Sequence, residues 1–377
     1  MWMREALAAL ALALMLLCPG LQPSCGGAQP QGAGCPPPSA PRQPPTDGDW
    51  EVGSGQYYSS QTIQLRGNLT ILSGGSLTLQ SVKLILSPAH DGQLRIEVRS
   101  GGSLQLLDGD SSPGTKEDAT VISSATGYGY ALQVLAGGRL VMKNSIVKGC
   151  GWEMGSRGES GGVYLRSQDC SIEGCDFVEG YCGLVVDNCA PRVVNSTFYK
   201  NKVTGMYARD STLGLEGNTF EQNGRNGLEL YCCQATVSGN IFRNNLFDGV
   251  LARNSSLLSE GNIYQLNNHQ GLETEGSAAS SRGDGFYENE VGAYFLSSSF
   301  ELEGGLFESN RYGVYCRDGA GELRNTTLSR SSRFDLYLDT FSRSSEVVSF
   351  NSTFTSVGFG DAASALIVRW TLRLRVV

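Results

Sequence analysis

Histidine is almost missing from this 377-residue sequence, which has only His90 and His269. Two imidazoles and scattered thiols do not make a zinc or copper set, so no metal and no cofactor is expected. His90, in Pro88-Ala89-His90-Asp91, and His269 both fall in turn-like segments and read as solvated turn residues. Charge is also scarce, at 18% of residues. The net charge is -8 and no Lys/Arg block occurs, which argues against nucleic acid or an anionic membrane as partner. Long apolar runs are absent as well. The longest, Ala6 to Cys18, is too short to cross a bilayer comfortably, which takes about 20 residues.

That run follows Arg4 and precedes small residues, so residues 1–24 read as a cleaved signal peptide. Lipidation at Cys25 is the alternative, although Gln22-Pro23-Ser24 is a poor lipobox. Residues 25–49 are rich in Pro and Gly, including Pro36-Pro37-Pro38, and read as an extended linker. A secreted or cell-surface location is therefore expected.

What is abundant is glycine, 49 residues, together with a repeat. An apolar residue recurs at Phe177, Phe198, Phe220, Phe242, Tyr264, Phe286, Phe307 and Leu328, in steps of 21 or 22. Asn follows three residues later at Asn201, Asn223, Asn245, Asn267, Asn289 and Asn310, and a glycine column runs in phase from Gly183 to Gly313. The stretches after each glycine alternate, as in Met206-Tyr207-Ala208-Arg209. Period 2 means strand. A coil of about 22 residues fits three short strands joined by tight turns, whereas helical repeats need about 33. The expected fold is all-β, a right-handed parallel β-helix with its Phe column stacked inside. The Asn column is expected at a turn, in a left-handed conformation, with amides bonded from coil to coil. The glycines are expected where a side chain would clash.

The Asn-x-x-Phe-x-x-Asn and Gly-Val-x-Ala frames resemble the β-helix repeats of pectate-lyase-like proteins, more narrowly the NosD/CASH-type repeats of archaeal and bacterial secreted proteins. The resemblance spans roughly Asn144 to Phe354. It implies a fold and leaves function open, since such proteins include lyases, hydrolases, epimerases, adhesins and non-enzymes. Residues 50–143 read as less regular coils, with Trp50 to about Ile71 covering the open edge. Residues 144–358 form the regular repeats, with Trp152 to Ser160 as a protruding loop. Residues 359–377 end in an apolar strand, which either caps the stack or, the favoured reading, starts a further β-domain.

The polygalacturonase-like frames Asn-Thr-Asp, Asp-Asp, Gly-His-Gly and Arg-x-Lys are absent, and no catalytic residue is assigned. Asp108, Asp110 and Asp118 read as a plain acidic turn before a calcium loop. Cys150 with Cys182, and Cys170 with Cys189, are placed to meet across coils; Cys316 reads as core, and Cys232-Cys233 has no assignment. Sequons occur at Asn68, Asn195, Asn254, Asn325 and Asn351.

If strands alternate from each glycine, two outward columns follow. One reads Val185, Tyr207, Glu229, Leu251, Glu273, Tyr294, Tyr315, Tyr337, continued upstream by Tyr164. The other reads Asp187, Arg209, Tyr231, Arg253, Glu275, Leu296, Arg317, Asp339. Tyrosine rings beside carboxylates and guanidinium groups suit stacking on sugars. The plainer reading is strand propensity with charge pairing between coils. The functional expectation is a non-enzymatic surface protein binding a polysaccharide or a neighbouring cell-envelope protein. A polysaccharide lyase, hydrolase or epimerase using Glu229, Arg253, Glu273 and Glu275 is the alternative, and a structural spacer is the third.

Overall fold

The computed structural model describes residues 43–110, 115–153 and 161–371. Forty strands are found there, and all pair in parallel with the strand one coil away. Every third strand joins the same sheet. Sheet A runs from Trp50–Val52 to Val357–Phe359, and sheet B from Gly55–Ser59 to Ala365–Arg369, each with 14 strands. Sheet C, from Thr62–Leu65 to Thr327–Ser329, has 12. The chain winds A, B, C and begins again, a right-handed parallel β-helix.

The register pairs Phe177 with Phe198, Phe198 with Phe220 and so on to Leu328. Identical spacing puts identical side chains on top of one another. The rings from Phe177 to Phe307 stack with centroids 4.3 to 5.1 Å apart, and all are buried. This column sits in one core that runs from Trp50 to Val347.

The asparagines do something other than turn the chain. The left-handed residues are their predecessors Lys200, Gln222, Asn244, Leu266, Glu288 and Ser309. Each ladder Asn lies buried inside the corner. Its Nδ2 donates to the Oδ1 of the next Asn, as from Asn223 to Asn245 (3.0 Å) and from Asn245 to Asn267 (2.9 Å). Hydrogen bonds there replace the water that a buried amide loses. A second ladder, Asn218–Asn240–Asn262, ends on Asp284. A carboxylate suits the terminus because it accepts and has nothing left to donate onward. The glycine column answers to close approach: a Cβ on Gly227 would sit 2.6 Å from the carbonyl oxygen of Gly249.

The ends differ from expectation. Trp50–Leu65 is itself the first coil, in register with the next, and does not cover an edge. Ala365–Arg369 adds a strand to sheet B instead of opening a separate domain among the described residues. Residues 1–42, which hold the expected signal peptide and most of the expected linker, lie outside the described residues, as do residues 154–160 of the expected loop.

Cys150, Cys170 and Cys189 are free thiols, so neither Cys150–Cys182 nor Cys170–Cys189 is bridged. Burial, and then the neighbouring Cys189, push the Cys170 thiol up to about 12. Cys232 takes an exposed left-handed corner at φ 52°. Cys233 occupies the inner corner column filled elsewhere by serines, donating its backbone N–H to Ser255 Oγ.

Candidate functional site

Both outward columns of sheet A are in register, residue for residue, from Val185 and Asp187 to Tyr337 and Asp339. They do not form the flat exposed strip that alternation alone predicts. Glu229 is wholly buried, and Tyr164, Val185 and Leu251 are buried too. The cover is the connection from sheet C. It runs four residues from ladder Asn to glycine in the coils of Asn201, Asn223, Asn245 and Asn267. In the coils of Asn289 and Asn310 it runs three. The longer connections fold over the strand face; the shorter ones leave it open.

Under the longer connections the face is polar and enclosed. Glu229 Oε1 accepts from Thr204 Oγ1 and Asn226 Nδ2, both at 2.8 Å. One coil on, Asp248 takes the place of Asn226 and accepts from the Gln270 backbone N–H at 3.1 Å. The Asp248 and Glu273 carboxyls lie close enough to influence each other's charge. Burial raises both carboxyls, Asp248 to about 6 and Glu273 to about 7, the latter also through the charge of Asp248. Beside them Arg253 pairs with Glu275 at 2.6 Å and donates to Tyr231 Oη at 3.0 Å. On the connection side, Arg225 lies over Phe247, and Phe247 packs on His269 with centroids 4.7 Å apart. His269 is an exposed turn residue, as expected.

Past Glu273 the wall falls away and an aromatic ledge begins. Tyr294, Tyr315 and Tyr337 follow Glu273 in register, with centroids 5.0 and 4.9 Å apart. Tyr312 and Phe334 widen the ledge. All but Tyr312 are half-buried, which leaves one ring edge or face to solvent. Asp339 fixes the ledge from beneath, accepting from Tyr315 Oη at 2.8 Å and from Arg317 Nη2 at 2.6 Å. Burial works against the Asp339 charge, but these donors outweigh it and hold the carboxyl below its usual range. At the other end Asp187 is clamped by Arg209 and by Tyr164, which lowers it to about 2.

The structure thus brings together Tyr231, Arg253, Glu273, Glu275 and, on the ledge, Tyr294, Tyr315, Tyr337 and Arg317. Tyr207 is half-buried and packs on Tyr231 at 5.4 Å. Glu229 lies beneath the surface. The strand columns did not disclose Asp248, Arg225, Phe247 or the flanking Tyr312 and Phe334. Their signal was position: Thr204, Asn226, Asp248, Gln270 and Tyr312 each directly precede a column glycine.

Away from this face, Asp108, Asp110 and Asp118 bring carboxylate oxygens within 4.8 Å of one another. Asp108 is already tied to Asn144 Nδ2 at 2.9 Å. No helix among the described residues is long and apolar enough to cross a membrane.

A family model described as "Right handed beta helix region" matches residues 130–286. No curated protein matches the sequence. Among solved structures, the periplasmic alginate epimerase AlgG superposes with a TM-score of 0.50 at 11% identity, over 82% of this chain and 78% of that one. The catalytic unit of a GH87 alpha-1,3-glucanase from Streptomyces thermodiastaticus strain HF3-3 gives 0.50 at 14% identity, over 77% of this chain and 62% of that one. At such identities the likeness is one of fold.

Proposed function

Taking the chain as a right-handed parallel β-helix, we propose that the outer face of sheet A binds a polysaccharide laid along the solenoid axis, and that the protein works at or outside the cell surface without turning its ligand over. The supporting observation is the ledge of Tyr294, Tyr315 and Tyr337. Three rings on successive coils are spaced at about 5 Å, close to a sugar ring's own width, and the middle one, Tyr315, is held by Asp339 and Arg317. Rigid aromatic surface loses little entropy on binding, and guanidinium groups beside it supply directional donors. A neighbouring cell-envelope protein would need a larger apolar centre than these half-polar rings offer.

One observation favours a catalytic reading, in which the glycan is cleaved or epimerised. Asp248 and Glu273 are neighbouring carboxyls that burial keeps protonated to higher pH than usual, as suits a general acid. Both named structural neighbours are enzymes, an epimerase and a glucanase, but at 11% and 14% identity the likeness extends to the fold alone and does not choose between the readings. A glycan array combined with a degradation screen separates them. Binding without turnover, weakened by Tyr315→Ala and unchanged in Glu273→Gln, is the expected result. Bond cleavage abolished by Glu273→Gln would replace this reading with the enzymatic one, and an empty array with no degradation would remove both.

A further inference from the structure

The five sequons are not equivalent in the fold. Asn195, Asn254 and Asn325 are each the single left-handed residue at a corner, with φ of 50°, 48° and 48°. Asn195 and Asn325 turn the chain from sheet B into sheet C, and Asn254 turns it from A into B. All three are exposed, and no hydrogen bond leaves their amide nitrogens among the described residues. The hydroxyl residues two places on, Thr197, Ser256 and Thr327, each stand in a strand's outward phase; Ser256 and Thr327 are exposed and Thr197 is half-buried. Room beside the corners comes from glycine: Gly174 and Gly217 flank Asn195, Gly276 follows Asn254 and Gly304 precedes Asn325. A Cβ at Gly217 would stand 2.3 Å from Asn195 Oδ1, so the glycine is what lets that amide lie where it does.

The other two side chains are engaged, although Asn351 takes the same left-handed corner at φ 49°. Asn351 donates from Nδ2 to Thr371 Oγ1 at 3.0 Å and accepts the Thr371 N–H at 2.8 Å, which ties successive coils of the stack together. Asn68 is half-buried and accepts the Arg95 backbone N–H at 3.0 Å from the next coil.

We infer that Asn195, Asn254 and Asn325 are N-glycosylation sites, and that Asn68 and Asn351 stay bare in the folded, secreted product. This rests on entry into a secretory route, the sequence-based reading of residues 1–24. The donor is an oligosaccharide linked to a polyprenyl diphosphate. The amide Nδ2 attacks the anomeric carbon, a C–N bond forms and the C–O bond to the diphosphate breaks. The polyprenyl diphosphate leaves with the electron pair, and the amide gives up one proton. None of the three sites lies within the outer face of sheet A, and Asn254 stands at its edge, directly after Arg253.

The test is to secrete the full chain from a eukaryotic host and release N-glycans enzymatically in heavy-oxygen water, so that each formerly occupied Asn becomes a labelled Asp. The expected result is a mass loss equal to three oligosaccharides, with label at 195, 254 and 325. Single Asn→Gln variants at these positions are expected to remove one oligosaccharide each while keeping the β-sheet circular dichroism. Absence of any mass loss overturns the inference, and so does label at 68 or 351 equal to that at the three corners. Neither result bears on whether sheet A binds a glycan, which the array measures separately.

Discussion

Replacing Asn245 by Ala interrupts the inner ladder at its middle, and the loss can be counted bond by bond. Asn245 Oδ1 accepts from the backbone N–H of Asn223 (3.1 Å) and from Asn223 Nδ2 (3.0 Å). Its Nδ2 donates to Phe220 O (3.1 Å) and Asn267 Oδ1 (2.9 Å). In the variant, Asn223 Nδ2 still reaches Phe198 O, and Asn267 Oδ1 still receives the residue-245 N–H. One buried donor is stranded, the Asn223 N–H, since the Phe220 carbonyl lies in a strand paired with Ile241–Arg243 and keeps its ladder partner. At about 1–3 kcal/mol for an unsatisfied buried group, the loss is about 2 kcal/mol, with the lost amide bonds and a small cavity added. The assay is urea unfolding followed by circular dichroism, with hydrogen exchange read at the Asn223 amide, where protection should drop first. Asn245→Asp should be as harmful, since an oxygen would then face two acceptors. Asn310→Asp should be milder, because Asn310 Nδ2 meets only Phe286 O. If Asn245→Ala unfolds within about 0.5 kcal/mol of the parent, the range of a neutral surface change, the ladder is decoration and this account of the corner is wrong.

Two further outcomes follow from the geometry. Gly249→Ala should lower the melting temperature measurably, by the equivalent of about 1–3 kcal/mol, because its Cβ would meet the Gly271 carbonyl oxygen at 2.5 Å; a melting curve that does not move would show the coils can spread. Stability should also depend on pH with opposite signs at two places. Asp248 and Glu273 have raised folded-state values, so their contribution is complete in mild acid and is lost as pH rises through about 6 and about 7. Asp187 is depressed, so its contribution is present above the ordinary carboxylate range and is lost as pH falls through about 2. Urea midpoints should therefore decline between about pH 4 and about pH 7, and the Asp248→Asn, Glu273→Gln double variant should flatten that limb; a parent already flat across it would contradict the raised carboxyls.

The coil was legible because its period is a property of the chain. Phe220, Asn223 and Gly227 recur with the same offsets at Phe242, Asn245 and Gly249, and stacking turns that offset directly into contact. The alternation after each glycine likewise placed Tyr207, Glu229 and Tyr315 in one row. What the alternation could not convey was which parts of the row are roofed. That depends on one residue more or less in the connection, so Glu229 is buried while Tyr315 keeps an open edge. The same cause hid Asp248: it belongs to a connection, where period 2 says nothing. The left-handed role assigned to the ladder asparagines belongs one position earlier because the amide must turn inward to find its partner, and a residue such as Leu266 can take the strained corner when the stack repays it.

The amide ladders give the stack a direction. Each inner Asn hands its donor to the coil on its C-terminal side, so any coil can be joined to any other that carries Asn at that place. Excising or duplicating one 22-residue unit, such as 223–244, therefore leaves a junction chemically identical to the one it replaces. The gap between the acidic pair and the tyrosine shelf can thus be altered only in whole rungs of about 4.8 Å, so protein length here works as a ruler graduated in coils.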